Sequence, residues 1–439
     1  MLNLRNRLRT SIVAALTLTI AVSGIVYAAA PSVDSGAKGK IEGSGATFPW
    51  NQYKDWFSSF TDENSDKFSV SDASAKLVLN YTGGGSGAGI ANFYGSNAGL
   101  ETQMFSGTDA VLSSSDRSAI AATSIGSNYT VIPIISGPLA VVYRVDGLKK
   151  GGVKASLRLD GEVICGIFSG QIKLWNDAKI KKLNPGVTGL PAKKIQVVGR
   201  SDSSGTTYVF TSYLGKAAAA AQKNCGMQSN FAAGEANFND AAGTFAPTKA
   251  APGTYFAGIR TANGADPIVG KAGNGGIAPF VKATNLTISY VEWSYAKKYA
   301  LSTAAIRTKS KNAAGAYAYL KPSAAGTVAA LAKAAATEDP INPSAAFVQP
   351  VYANGTTSYP IVGYSWLMLY TDYSRVDKGQ VQGLVSFLNW ALTTGQGSTF
   401  LYNGYVSLPT AVRNAAIAEL HKIKYNGRSE EHTSELQSH

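Results

Sequence analysis

A strand-to-helix turn rich in small hydroxyl side chains is the stretch of this 439-residue chain best equipped for chemistry. The apolar run 195–198 predicts a short strand, and the run 208–214 predicts the start of a helix. The first amides of a helix have no intrahelical acceptor and carry the positive end of the helix dipole, so they can hold an anion. The turn between the runs supplies four candidate anion ligands: Arg200, Ser204, Gly205 and Thr206.

Each residue of this turn has a property that suits an oxyanion. Arg200 offers a charged fork of donors, and the hydroxyl of Thr206 adds another donor. Gly205 has no Cβ, so a ligand can approach its amide closely. The same residues also fit ordinary helix capping, with Arg200 and Asp202 as a surface ion pair. The turn alone leaves both interpretations open.

A second turn of this kind lies near the N-terminus. The stretch 40–49 predicts a strand end and a glycine-containing turn, and the aromatic residues of 50–60 recur at helical spacing. Thr47 and Phe48 therefore fall where the first helical amides point outward. The alternative is a plain connection between a strand and a helix.

A glycine cluster follows the next predicted strand. Residues 76–81 predict the strand, 82–89 hold the glycines, and 90–94 predict a helix start. This position favours a turn that cradles phosphate, with Ser86 as a donor, over a flexible linker.

An aspartate completes the set of candidates. Asp109 lies in the segment 105–113, and a carboxylate there would repel a fully deprotonated anion. Phosphate near neutral pH keeps a proton, whereas sulfate has none, so Asp109 could accept that proton and exclude sulfate. The alternative role for Asp109 is a helix cap or a turn residue.

The first 39 residues are typical of an export signal and a linker. Arginines precede the apolar run 12–26, and three alanines end at residue 30. We expect residues 1–30 to be a cleaved signal peptide and 31–39 a linker, because the apolar run is short for a membrane span. The protein is then periplasmic or otherwise extracytoplasmic.

The last twelve residues look foreign to the fold. Residues 428–439 resemble the in-frame translation of a common DNA-sequencing adaptor, so we expect a non-native tail. His432 and His439 lie in this tail, which leaves His421 as the remaining histidine. One histidine is too few for a histidine metal cluster and leaves a single candidate for a Ser-His-Asp triad. We therefore expect neither metal nor cofactor.

The charge of the chain favours anionic ligands. The formal net charge is +13, and the predicted tail is not the source of this positive charge, since it holds one arginine against three glutamates. Charged residues make up only 15% of the chain, and no Lys/Arg run alternates with aromatic residues. We therefore expect no nucleic-acid partner.

The two cysteines leave their pairing open. Cys165 and Cys225 could form a disulfide in an exported protein, or could be two buried thiols. Their spacing does not distinguish the two states.

Ten short motifs together resemble the phosphate-binding proteins of high-affinity phosphate ABC transporters, in that family's order over nearly the whole mature chain. The motifs are GSGATFP (43–49), NYTGGGS (80–86), TDA (108–110), LWND (174–177), LNPG (183–186), RSDSSGT (200–206), GNGGIA (273–278), ISYVEWSYA (288–296), YPIV (359–362) and SLP (407–409). Any one motif is weak, but the ordered set is specific.

The resemblance implies an α/β fold of the two-lobed periplasmic binding protein type (type II). Each lobe would be a mixed sheet flanked by helices, with hinge strands near 133–142 and 359–370. We place lobe I at 40–134 plus 359–427 and lobe II at 135–358. Each lobe is of ordinary domain size.

The resemblance also implies the site. Thr47, Phe48 (through its amide) and Ser86 would hold phosphate from one lobe, and Asp109 would accept its proton. The ligands from the other lobe would be Arg200, Ser204, Gly205 and Thr206. The family's proline after the Asp-Ala pair is Val111 here, and Asp116 lies close by as a second candidate for the proton acceptor.

The implied function is binding without catalysis. The protein would capture inorganic phosphate, close around it and deliver it to the subunits of a membrane ABC permease, and we expect a monomer. The alternatives are a binding protein for another oxyanion, an exported phosphatase-like enzyme and a surface protein that binds acidic polymers.

Two regions carry only structural expectations. We expect 216–266 to be an elaborated surface loop with some helix. The alanine-rich stretch 313–337 predicts one or two helices of the second lobe.

Overall fold

The computed structural model describes residues 37, 39–63, 77–95, 103–220, 249–334, 340–343, 349–425 and 428–429. The predicted signal peptide, nearly all of the linker, Cys225 and residues 430–439 of the predicted tail lie outside the described residues. Within the described ranges, no helix has both the length and the apolar character that a bilayer crossing needs.

The strands in chain order are β1 (Lys40–Gly45), β2 (Val78–Gly83), β3 (Phe105–Thr108), β4 (Tyr129–Arg144), β5 (Lys149–Lys150), β6 (Val153–Lys154), β7 (Arg158–Leu159), β8 (Gln196–Arg200), β9 (Val269–Lys271), β10 (Thr287–Glu292), β11 (Ser302–Thr303), β12 (Ala305–Lys311), β13 (Tyr317–Leu320), β14 (Val362–Tyr370), β15 (Lys424–Tyr425) and β16 (Arg428–Ser429). The helices are α1 (Trp50–Glu63), α2 (Ser86–Tyr94), α3 (Ser114–Ala121), α4 (Gly161–Phe168), α5 (Ala178–Leu183), α6 (Gly205–Ala220), α7 (Pro252–Tyr255), α8 (Ala257–Ala262), α9 (Gly273–Ala283), α10 (Trp293–Lys298), α11 (Ala324–Ala334), α12 (Lys378–Leu392) and α13 (Thr410–Leu420).

Three parallel strands form the first half of the main sheet. β1 lies between β2 and β3 and pairs in parallel with both. The helices α1 and α2 follow β1 and β2, as the turn patterns predict. α1 buries Trp56 and Phe60, and the Phe60 ring lies 5.5 Å from the ring of Phe387 in α12. The aromatic spacing of α1 is therefore explained by packing on α12.

Two long antiparallel strands run through the middle of the sheet. β14 pairs with β3 on one side and with β4 on the other. The register between β14 and β4 shifts between Ser365 and Trp366. β4 then continues past β14 and pairs with β10. One strand of 16 residues thus belongs to both halves of the structure.

The second half repeats the parallel arrangement. β8 pairs in parallel with β10 and with β9, and α6, α9 and α10 follow β8, β9 and β10. The ring of Phe210 in α6 stacks on Tyr290 in β10 at 4.2 Å. The core of this half therefore lies between α6 and the sheet.

Two helices begin earlier than the sequence pattern predicts. α2 begins at Ser86 rather than near residue 90, and α6 begins at Gly205 rather than near 208. Within α2, Gly89 permits close packing, because a Cβ there would lie 2.5 Å from the Gly107 carbonyl oxygen. The glycine cluster is a close-packed helix start rather than a linker.

The prediction for 313–337 is wrong in its first part. Tyr317–Leu320 forms strand β13, which pairs antiparallel with β12, and α11 is the only helix in the part of this stretch that the structure describes, 313–334. The tyrosines of this segment suit a strand, but its high alanine content obscures that signal. In the stretch 216–266, α7 and α8 supply the expected helix, while 221–248 lies outside the described residues.

Two further sequence questions receive partial answers. Cys165 is disulfide-bonded. Of the predicted tail, Arg428 and Ser429 pair with Tyr425 and Lys424 in a two-residue ladder.

Candidate anion-binding site

The candidate residues lie in turns at the carboxyl ends of parallel strands. Such ends meet at one edge of a sheet, which is where ligands of open α/β sheets bind. The turns after β1, β2 and β3 form one edge, and the turns after β8 and β9 form another. The two edges touch directly, since the Gly87 amide donates to the Ser203 carbonyl at 3.0 Å.

Arg200 ends β8 and is 1% exposed. Its Nε donates to Asp202 Oδ1 at 2.8 Å, a second nitrogen donates to Asp202 Oδ2, and Nη1 donates to Thr206 Oγ1 at 3.1 Å. A guanidinium has five N–H donors, and the described residues accept from three of them. Two donors are thus left for an anion, while Asp202 fixes the direction of the fork.

Asp202 is held in its charged form. Burial raises its pKa, but the hydrogen bonds and charge of Arg200 outweigh burial and lower the pKa below its ordinary value. Its Oδ1 also accepts from the Gly273 amide at 3.0 Å. The surface ion pair that the sequence leaves open is in fact a largely buried pair beside the candidate ligands.

The start of α6 leaves two amides available. Ser204 caps the helix, because its Oγ accepts from the Thr207 amide at 3.1 Å and its carbonyl accepts from the Tyr208 amide. The amides of Gly205 and Thr206 have no backbone acceptor within the described chain. These are the two amides that the dipole argument assigns to an anion.

Gly205, in the turn after β8, lies against the edge formed by the turns after β1, β2 and β3. A Cβ added to it would lie 2.3 Å from Ser86 Oγ and 2.7 Å from the Asp109 amide nitrogen. Ser86 Oγ in turn accepts from that amide at 3.0 Å. Three of the predicted site residues therefore meet at one point, although they come from three separate turns.

Asp109 follows β3 and is 1% exposed. Ser365 Oγ donates to its Oδ1 at 2.7 Å, whereas Oδ2 has no hydrogen-bond partner among the described residues. Burial raises the pKa of Asp109 to about 7, against the lowering effects of the Ser365 hydrogen bond and the Arg200 charge. A buried carboxyl oxygen without a partner is costly, so a ligand that donates a proton to it would be bound selectively.

Asp116, the second candidate for the proton acceptor, lies elsewhere. It is the third residue of α3, where its carboxylate bonds to Ser113 and pairs with Lys249. Burial raises its pKa, but the bonds from Lys249 and Ser113 outweigh burial and lower it. All of the polar contacts of Asp116 serve the helix start and this ion pair, so Asp109 is the better candidate.

Thr47 and Phe48 lie in the turn between β1 and α1, where both are buried. The Asn274 amide and Nδ2 donate to Thr47 Oγ1 at 3.2 and 3.1 Å. Tyr295 donates to the Thr47 carbonyl at 3.0 Å, and Tyr405 donates to the Phe48 carbonyl. The turn is therefore held by side chains distant in sequence.

A second buried carboxyl lies close to this turn. Glu292 is fully buried, and both of its oxygens accept from the Ser294 amide at 2.9 Å. Burial raises the pKa of Glu292 to about 8, although the Ser294 bonds oppose it. Ser294 Oγ also accepts from Asn51 Nδ2 at 2.9 Å, which links α10 to α1.

Three side chains that the sequence reasoning did not assign to the site belong to its structure. Asn274 bridges Thr47 and Thr206 through Nδ2, at 3.1 Å to each hydroxyl. Asn274 lies in the GNGGIA motif (273–278), but the motif does not reveal this contact. Ser365 is the one small hydroxyl side chain in the apolar and aromatic strand β14, which is a usable signal. Asp202 is the second residue after Arg200 in the same turn.

A cavity of about 390 Å³ opens beside these residues. Its lining includes Thr47, Trp50, Asp202, Gly273 and Tyr295. No group of three or more His, Cys, Asp or Glu side chains that could hold a metal is found within the described ranges. The arrangement offers amides, hydroxyls and a guanidinium to an oxyanion, and one carboxyl oxygen to its proton.

The fold and the site define a solute-binding protein. Residues 30–394 match the family model described as a PBP superfamily domain. The phosphate-binding protein PstS of Methanocaldococcus jannaschii is 30% identical over 394 residues, which cover 88% of this chain and 86% of that protein. The phosphate-binding protein PstS 3 of Mycobacterium leprae is 31% identical over 337 residues, 77% of each chain. The chain belongs to the PBP superfamily and, within it, to the PstS phosphate-binding protein family.

Solved structures establish the architecture. A high-affinity periplasmic phosphate-binding protein, solved with bound phosphate, matches with a TM-score of 0.60 and 23% identity, over 87% of this chain and 93% of that chain. The predicted fold class is confirmed: an α/β, two-lobed periplasmic binding protein fold with mixed sheets, flanking helices and hinge strands.

Proposed function

We propose that this protein captures inorganic phosphate in the cleft between its two lobes. The observation that carries the proposal is the pairing of opposite functions at one point. Arg200 keeps donors for an oxyanion, and Asp109, on which the Arg200 charge acts, keeps one buried acceptor oxygen for a proton. Phosphate presents both features near neutral pH, whereas sulfate lacks the proton. The phosphate-binding names of the relatives support the same ligand.

The eight predicted residues would divide the work by chemistry. Thr47, Phe48 and Ser86 would contact phosphate from lobe I, and Asp109 would accept its proton. Arg200, Ser204 and Thr206 would contact it from lobe II through their side chains, and Gly205 and Thr206 through their amides. The direct contact of Gly205 with Ser86 and Asp109 supports a ligand site closed from both sides.

The lobes would have the bounds that the sequence predicts, 40–134 plus 359–427 for lobe I and 135–358 for lobe II. The path of β4 supports a crossing inside this strand, since it pairs with β14 in one half and β10 in the other. β14 would be the return crossing. Opening would then bend these two strands and separate the two edges of turns.

Transport would be the purpose of the binding. The protein would act as a monomer outside the cytoplasm, after removal of residues 1–30, and deliver phosphate to the membrane subunits of an ABC permease. It would have no catalytic role and no nucleic-acid partner. The buried ligands of the site support release by opening of the lobes rather than by chemistry.

Calorimetric titration of the phosphate-stripped protein tests the proposal. We expect one phosphate per chain, with an affinity that survives a large excess of sulfate. Titration with sulfate alone is the matched control and should give little heat. Absence of phosphate binding by a folded, ligand-free sample would contradict the proposed function, and equal binding of both anions would replace phosphate by oxyanions in general.

A further inference from the structure

Tyr295 makes a contact between the two halves of the structure that the eight proposed ligands do not include. It lies in α10, directly after β10, and is 5% exposed. Its hydroxyl donates to the Thr47 carbonyl at 3.0 Å, across 248 positions of sequence. Thr47 lies in the turn after β1, so the bond joins the second half of the sheet to the first.

The accepting carbonyl belongs to the same peptide unit as the Phe48 amide. A peptide unit is planar and trans, so its C=O and N–H point in opposite directions. A donor that fixes the Thr47 carbonyl therefore also fixes the direction of the Phe48 N–H. Hydrogen bonds in a buried chain polarise one another, so the same contact strengthens this N–H as a donor.

Other contacts in the turn leave this task to Tyr295. Asn274 holds the Thr47 side chain rather than its carbonyl. Tyr405 donates to the Phe48 carbonyl, which belongs to the next peptide unit. The Tyr295 hydroxyl, in contrast, donates directly to the Thr47 carbonyl.

We infer that Tyr295 is a positioning residue for phosphate: by bonding to the Thr47 carbonyl across the cleft, it aims the Phe48 amide at the anion and ties that orientation to lobe closure. The inference rests on the proposed function. When α10 moves away from the turn, the bond breaks, and the amide loses its fixed direction. Closure of the lobes and retention of phosphate are thus coupled, and the dissociation rate of phosphate depends on the Tyr295 hydrogen bond.

The variant Tyr295→Phe removes one oxygen and keeps the ring. Stopped-flow kinetics should show that phosphate dissociates about fivefold to tenfold faster, the loss expected for one buried hydrogen bond, while association changes little. Tyr299→Phe is the matched control, because Tyr299 lines the same cavity and is not recorded as a donor to the turn. Its dissociation rate should equal that of the unaltered protein.

Thermal unfolding separates a positioning role from a structural one. We expect Tyr295→Phe to lower the melting temperature of the phosphate-bound protein by more than it lowers that of the ligand-free protein. An equal drop in both states, or an unchanged dissociation rate, would overturn the inference while phosphate binding by the unaltered protein upholds the proposed function. Failure of the unaltered protein to bind phosphate would contradict the function itself.

Discussion

The charge of Arg200 acts on both Asp202 and Asp109, and the protein holds these two carboxyl groups in opposite states. Asp202 accepts two bonds from Arg200 and one from the Gly273 amide, and its pKa is lowered. Asp109 accepts one bond from Ser365 and keeps a buried oxygen without a partner in the described structure, and its pKa is raised to about 7. One carboxylate is structural, and the other is poised for a proton.

The difference between Asp202 and Asp109 indicates which carboxyl group could select phosphate over sulfate. The Asp202–Arg200 pair is complete before any ligand arrives, so it orients donors without adding much net charge to the cleft. In the proposed site, Asp109 would distinguish an anion that carries a proton from one that does not. A site that combined Arg200 with a second satisfied carboxylate would hold oxyanions without this preference.

Removing Arg200 should have the largest effect. Arg200→Ala deletes the charged donors and leaves Asp202 buried without its partner, so we expect a loss of phosphate affinity of about 3–5 kcal/mol. Calorimetry would measure it. Ser86→Ala, which removes a neutral hydroxyl, should cost clearly less.

Arg200→Lys is the matched control for charge. It keeps the positive charge but cannot form the fork to Asp202, so its affinity should lie between those of the unaltered protein and Arg200→Ala. Equal losses for Arg200→Ala and Ser86→Ala would contradict the central role of the guanidinium.

The ligand-free protein should respond to pH through Asp109. A carboxyl with a raised folded pKa contributes stability that is complete below its unfolded pKa, 3.8, and is lost as pH rises through about 7. Asp109→Asn does not titrate, so relative to the unaltered protein it should gain about 2–4 kcal/mol of unfolding free energy between about pH 5 and pH 8. Denaturant unfolding at both pH values measures this difference, which also includes the loss of the raising effect that the Asp109 charge has on the pKa of Glu292.

Asp116→Asn provides a control of opposite sign. Because the pKa of Asp116 is lowered, its stabilisation is present at neutral pH and is lost as pH falls through its folded pKa. The destabilisation caused by Asp116→Asn should therefore shrink in acid. The same pH dependence for Asp109→Asn and Asp116→Asn would contradict the opposite pKa shifts of Asp109 and Asp116.

The same Asp109→Asn variant should change ligand choice. Phosphate loses the acceptor for its proton, and the new amide can donate to sulfate, so we expect phosphate affinity to fall by about 1.5–3 kcal/mol and sulfate competition to increase. Competition calorimetry would test this. Unchanged selectivity would exclude Asp109 as the proton acceptor.

The smallest effect should come from Ser365. The hydrogen bond from Ser365 to Asp109 Oδ1 lowers the pKa of Asp109. Ser365→Ala removes this bond, so the pKa of Asp109 should rise further. Phosphate affinity near neutral pH should weaken by about 0.5–1.5 kcal/mol, measured by calorimetry across pH. Ser365→Thr keeps the hydroxyl and should restore most of this loss.

The sequence predicts the parts of the cleft that are local. Strand, turn and helix start occur in that order around Thr47, Ser86 and Arg200, because apolar runs, glycines and hydroxyls are short-range signals. The contacts that complete the cleft are long-range: Asn274 reaches Thr47 across 227 positions, and Ser365 reaches Asp109 across 256. No spacing rule connects such pairs.

The boundaries of elements fail for a related reason. Propensity places the start of α2 after its glycines, whereas the helix begins at Ser86 and its Gly89 packs closely on the Gly107 carbonyl. Alanine content favours a helix at 317–320, whereas pairing with β12 makes it strand β13. In both cases tertiary contacts outweigh local preference.

A crystal structure of the protein grown with phosphate tests the central claim most directly. We predict one phosphate enclosed by the eight proposed residues, with one oxygen about 2.5–2.7 Å from Asp109 Oδ2, as expected for a shared proton. The remaining oxygens should contact Arg200 and the amides of Gly205 and Thr206. Phosphate bound elsewhere, or bound in the cleft with Asp109 turned away, would contradict the account.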